Sequence, residues 1–142
     1  MRAALAAAAV AAGLLAAAGC GRADHAEPAS FADVEAVIAD ADLRVCDEVE
    51  TEARTPGADG ERRYDVGLDC ADPDEPDAVV VATAFGDEED RDGAARRFEG
   101  QARPPAQGAV WTLGPLLVRV SGDRDPEAVD ALTEALDDRG AE

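Results

Sequence analysis

Residues 78–86 read AVVVATAFG, a nearly unbroken run of small and β-branched apolar side chains between two acidic stretches. The run is too short for an ordinary buried helix and suits a central β-strand. The rest of the chain must therefore supply strands to pair with it. Residues 63–70, RYDVGLDC, alternate, with Tyr64, Val66, Leu68 and Cys70 on one side and Asp65, Gly67 and Asp69 on the other, the pattern of a half-buried strand. Residues 43–50, LRVCDEVE, form a further strand in which Cys46 is out of phase with Leu43 and Val45, which points to a bulge or a strand end. AVWTLG and PLLVRVSG flank Gly114 and Pro115 and read as a hairpin, with Trp111 as a core residue.

Helical spacing takes over between these strands. Phe31, Val34, Val37, Ile38 and Ala41 recur with a helical period behind Ser30 and Asp33, which resemble a capping box. Asp125, Pro126 and Glu127 are a strong helix start, Val129, Leu132 and Leu136 form the apolar stripe, and Gly140 is the stop. Residues 51–62, 71–77 and 100–108 read as loops or turns. In residues 86–100 a calcium-loop pattern competes with a helix. Glu88, Asp90, Asp92, Gly93 and Glu99 fall at positions one, three, five, six and twelve of such a loop. Glu88 stands where Asp belongs, Ala95 where a larger apolar residue is usual, and a strand precedes it instead of a helix. A helix with an acidic first turn is the reading adopted, with Ala94, Ala95 and Phe98 toward the sheet and Arg96 and Arg97 near its end. The expected order is αβββαββα. The fold class is α+β, a five-stranded, mostly antiparallel sheet with three helices packed on one face.

The first twenty-one residues, MRAALAAAAVAAGLLAAAGCG, stand apart from this domain. Arg2 is a short positive region, residues 3–18 carry no charge, and Ala18 and Gly19 lead into Cys20, the layout of a secretory signal. Ala17, Ala18, Gly19 and Cys20 resemble the lipobox of bacterial lipoprotein precursors, with Ala17 where that family prefers Leu. The resemblance implies cleavage before Cys20 and a diacylglyceryl thioether on it. It divides the chain into a signal peptide, 1–19, a lipidated Cys20 with a tether, 20–29, and one globular domain, 30–142. Two or three acyl chains make dissociation from a membrane negligible. Ordinary cleavage at Ala16 to Ala18, or an uncleaved membrane helix, are the alternatives. With Cys20 assigned to lipid, Cys46 and Cys70 remain as a disulfide pair in an oxidising compartment.

Charge and residue types narrow the function. The chain holds 13 basic and 32 acidic residues, a formal net charge of −19. Nucleic acid is a poor partner for such a surface, and a basic protein is a suitable one. Lys and Asn are both absent, which removes Schiff-base chemistry and N-glycosylation. Arginine as the only strong base is the mark of a GC-rich genome. Together with the lipobox it resembles a chain from a high-GC Gram-positive bacterium, a halophile being the alternative source. The layout, with a Cys pair in the first strands, a helix after an apolar strand and a Trp hairpin before a final helix, resembles small actinobacterial lipoproteins. The single histidine, His25, lies in the tether, and the only serines are Ser30, a helix cap, and Ser121, at a strand end. No Ser/His/Asp arrangement, zinc site or phosphate-binding glycine loop is visible, so no catalytic residue, metal or cofactor is expected. The expectation is a membrane-anchored extracytoplasmic binding module. The alternative is a cell-envelope hydrolase or a small-ligand-binding protein, which a pocket gathering Arg119, Tyr64, Trp111 or buried carboxylates would favour.

Overall fold

The computed structural model describes residues 28–72, 74–101, 109–122 and 124–142. The signal, Cys20, His25 and most of the tether lie outside these residues, as do 102–108 of the expected loop. The elements are α1 (Phe31–Asp40), β1 (Arg44–Thr51), β2 (Ala58–Gly67), β3 (Ala78–Phe85), α2 (Glu88–Glu99), β4 (Ala109–Leu113), β5 (Leu116–Ser121) and α3 (Pro126–Asp138). The five strands form one sheet in the order β1-β2-β3-β5-β4, with every neighbouring pair antiparallel. The apolar run is β3, central as its composition demands. β5 lies between β3 and β4, so α2 carries the chain across one intervening strand.

Pairing register fixes which side chains share a face. Tyr64, Val80 and Val120 form one cross-strand row, and Arg62, Ala82, Val118 and Trp111 the next. α1 and α3 pack on this face, burying Val34, Val37, Ile38, Leu132 and Leu136 against Tyr64, Val66, Val80, Trp111, Val118 and Val120. Tyr64 is fully buried and its hydroxyl donates to the Phe31 carbonyl at 3.5 Å. The Trp111 indole N–H donates to the Asp137 carboxylate at 3.2 Å. Both polar tips thus find partners at the rim of the core.

Residues of the alternate register point the other way. Phe85, Ala94, Ala95 and Leu117 make a second, smaller apolar cluster, edged by Ala58, Phe98 and Val110. Class, sheet and element order are as expected from the sequence. The helices divide, with α1 and α3 on the larger core and α2 over the residues of opposite register. A single helix after β3 has to cross β5 to reach β4, and the face already filled by α1 and α3 leaves it the other.

Local signals set the ends of the elements. Ser30 N–H donates to the Asp33 carboxylate at 2.6 Å, while the Asp33 N–H donates to the Ser30 carbonyl at 2.9 Å. Asp87 caps α2 by accepting from the Glu89 N–H at 2.8 Å, and Asp125 caps α3 by accepting from the Glu127 N–H at 3.0 Å. Gly140, at φ +73°, turns the chain after α3, and Ala141 N–H returns to the Leu136 carbonyl.

Two sequence expectations need adjustment and a third holds. β2 begins at Ala58, inside the expected 51–62 loop, because its first half is held by charge pairs and not by apolar alternation. The alternation of residues 63–70 stops at Val66. Leu68 is 60% exposed, and Cys70 sits at φ +55°, beyond the strand. The predicted irregularity at Cys46 is present as a register shift between Val45 and Asp47.

Candidate functional site

Cys46 and Cys70 are bridged, with Cα atoms 5.2 Å apart. The bridge ties the β1 bulge to the turn after β2. Nearby, Asp77 accepts from the Leu68 N–H at 2.9 Å, and Arg124 pairs with Glu75 across the mouth of an open cavity of about 600 Å³ reached by Ser121. Arg124, the cation at that mouth, is already engaged by Glu75.

The calcium-loop residues run along α2. At 1.5 Å per residue, Glu88 and Glu99 are separated by about 16 Å along the helix axis and cannot meet at one ion. Asp92 accepts from Arg91, whose guanidinium also reaches the Gly114 carbonyl and so ties α2 to the β4–β5 turn.

A second depression, about 420 Å³, opens beside the C-terminal end of α2. Its walls come from three places in the chain. The β1–β2 connection brings Arg54, Thr55 and Pro56. α2 brings Arg97, Phe98 and Gln101. The sheet floor brings Glu61 and Arg119. Gly57 holds the connection in place. It adopts φ +83°, and a Cβ there would lie 2.6 Å from the Asp90 side chain, so only glycine allows the connection to approach α2 so closely.

Arg119 is the fixed point of this groove. Its guanidinium lies 4.2 Å from the Phe98 ring centroid, and one terminal nitrogen is 3.5 Å from Glu61. Glu61 is itself held by the Thr83 hydroxyl at 3.1 Å and the Thr51 hydroxyl at 3.5 Å. Thr83 is fully buried, and its hydroxyl is satisfied by that bond. Burial pulls the Arg119 guanidinium below its ordinary value, while Glu61 works in the opposite direction. An arginine starts so far above neutrality that it remains charged. The buried Arg119 Nε has no hydrogen-bond partner among the described residues.

Arg54 and Arg97 are exposed at the rim. Neither has a carboxylate within 4.0 Å among the described residues, which they share with Arg44 and Arg96, whereas Arg62, Arg63, Arg91, Arg119, Arg124 and Arg139 each do. The groove therefore sets three guanidinium groups against one carboxylate in a chain whose overall balance is strongly negative.

Of the residues named from sequence, Arg119, Phe98 and Arg97 reach this groove. Tyr64 and Trp111 face the opposite core and Ser30 caps α1. Phe98 lies with Ala94 and Ala95 on the sheet side of α2, as its spacing predicts, and Arg97 follows from the basic helix end, whereas Arg54 comes from a polar loop that carries no periodic signal. No family model, curated protein or solved structure matches the chain.

Proposed function

We propose that the chain is a lipid-anchored extracytoplasmic protein whose single domain binds a partner and catalyses nothing. The observation that carries the anchor is the charge-free run ending in Ala18, Gly19 and Cys20. The Cys46–Cys70 bridge supports an oxidising compartment. Among the described residues no helix is long and apolar enough to cross a membrane. Lipid on Cys20 would be the attachment in this reading, with residues 21–29 as its tether. The non-catalytic part rests on the side chains themselves. Ser30 is spent on a helix cap, Glu61 is held by two threonines and an arginine, and the one histidine belongs to the tether.

The acidic surface would steer a basic protein partner, an attraction that salt weakens. The test uses the full chain in a bacterium that processes lipoproteins. Wild type is expected in the membrane fraction at the mature size, and Cys20→Ala is expected to be unprocessed or released. A Cys20→Ala protein that fractionates like wild type, at mature size, rules out lipid anchoring. Crosslinking in intact cells should capture a partner. Turnover of a wall or lipid substrate by the purified protein, with no partner captured, would end the non-catalytic reading.

A further inference from the structure

We propose that the groove between Arg54, Arg97 and Arg119 binds a small soluble dianion, an organic phosphate monoester or a dicarboxylate. This deepens the reading of the domain as a binding module and rests on it, but it is independent of the anchor.

The charge count sets the ligand's charge. Three guanidinium groups face one carboxylate, Glu61, which is committed to Arg119, Thr83 and Thr51. Two positive charges are left over, those of Arg54 and Arg97. In a chain with 32 acidic residues, a pair of arginines with no carboxylate partner among the described residues on one groove is a place where an external anion completes the pairing. Like charges sharing a groove repel, and a bound dianion removes that repulsion.

The geometry sets its shape. Guanidinium forks match the paired oxygens of a carboxylate or phosphate, and Arg119 is oriented in advance by Phe98 stacked at 4.2 Å. A volume of about 420 Å³ suits a small molecule and exceeds what a bare inorganic ion needs. Pro56 and Phe98 give the organic part an apolar wall, and the Thr55 hydroxyl offers a further donor.

The overall charge sets its source. A surface with a formal net charge of −19 is repelled by an anionic bilayer, so lipid headgroups are disfavoured against a free solute. A solute of two charges is small enough to respond chiefly to the nearby arginines.

The probes are phenyl phosphate and phthalate, titrated by calorimetry into the purified mature protein at low salt. Saturable one-to-one binding is expected for at least one probe, with Kd below about 1 mM. Arg54→Gln and Arg97→Gln should each weaken it about fivefold or more. Both positions are exposed, so the fold is not at stake, and melting curves check this. Arg44→Gln, on the β1 edge and away from the groove, should bind as wild type. Absence of saturable binding by either probe up to about 10 mM overturns the proposal, as does binding that neither glutamine variant weakens. Vesicles of phosphatidylglycerol in phosphatidylcholine form a further arm. Capture by vesicles without binding of either soluble probe would overturn the assignment to a free solute. A protein released from membranes that still binds phenyl phosphate fails only the anchor. An anchored protein that binds neither probe fails only the groove.

Discussion

The two faces of the sheet use alternate residues of the same five strands, yet they are finished differently. One is covered by two helices, and its buried side chains are apolar, with Tyr64 and Trp111 turning their polar tips to the rim. The other is covered by α2 over Phe85, Leu117 and Val110, and beyond that patch the floor becomes Thr83, Glu61 and Arg119. Because the first face holds nearly all of the large buried side chains, it supplies most of the apolar burial that stabilises a small domain. The second is thereby free to keep half-buried charges, an arrangement that would be expensive in a core and is useful in a binding groove.

The contrast can be broken by truncating one residue on each side. Leu132 is fully buried between α3 and the sheet, so Leu132→Ala should cost about 2–5 kcal/mol in urea unfolding. Phe98 is only partly buried on the smaller cluster, and Phe98→Ala should cost less than half as much while loosening Arg119 and weakening anion binding. Equal losses of stability would mean that the two faces carry equal weight. The disulfide sharpens the comparison because it belongs to neither layer. Replacing Cys46 and Cys70 together by serine should lower stability by about 2–4 kcal/mol, through the loop it closes in the unfolded chain. That loss should add to the loss from Leu132→Ala, since the sites share no partner. Strong coupling between them would tie the bridge to the larger core.

The smallest effect is an electrostatic one at the start of α1. Hydrogen bonds from the Ser30 N–H and hydroxyl hold the Asp33 carboxyl below its ordinary value. A carboxyl depressed in the folded state adds stability above its unfolded value of about 3.9, and that contribution is lost as pH falls through the folded value. The urea midpoints of wild type and Asp33→Asn should therefore converge as the pH falls from about 5 through and below the unfolded value. A gap that stays constant over this range would place the stabilisation elsewhere.

The elements were legible where one physical signal dominated. β3 followed from its apolar run, α3 from Asp125, Pro126 and Gly140, and α2 from the acid-first, arginine-last order of its charges. The start of β2 was hidden because Glu61 and Arg62 are strand residues held by ion pairs, Glu61 to Arg119 and Arg62 to Glu48. Only the register brings those partners together. The division of helices between faces was hidden for a related reason: apolar spacing says that a helix has a buried side, not which side of the sheet receives it. The groove shows the same limit more strongly. Residues 54, 97 and 119 have no sequence relation to one another, and the absence of carboxylates beside two of them among the described residues is a property of the fold alone.

The two outer strands have a consequence for how copies of this protein meet. At the β4 edge, the main chain of Glu142 exchanges hydrogen bonds with Thr112 in both directions, so part of that edge is already taken. At the β1 edge the ladder is open, but Cys46 disrupts its register and Asp47, Glu48 and Glu50 line it. An antiparallel pairing of two β1 edges would set carboxylates against carboxylates. One border resists strand addition by occupancy and the other by repulsion, so an encounter between copies leaves the sheet five strands wide.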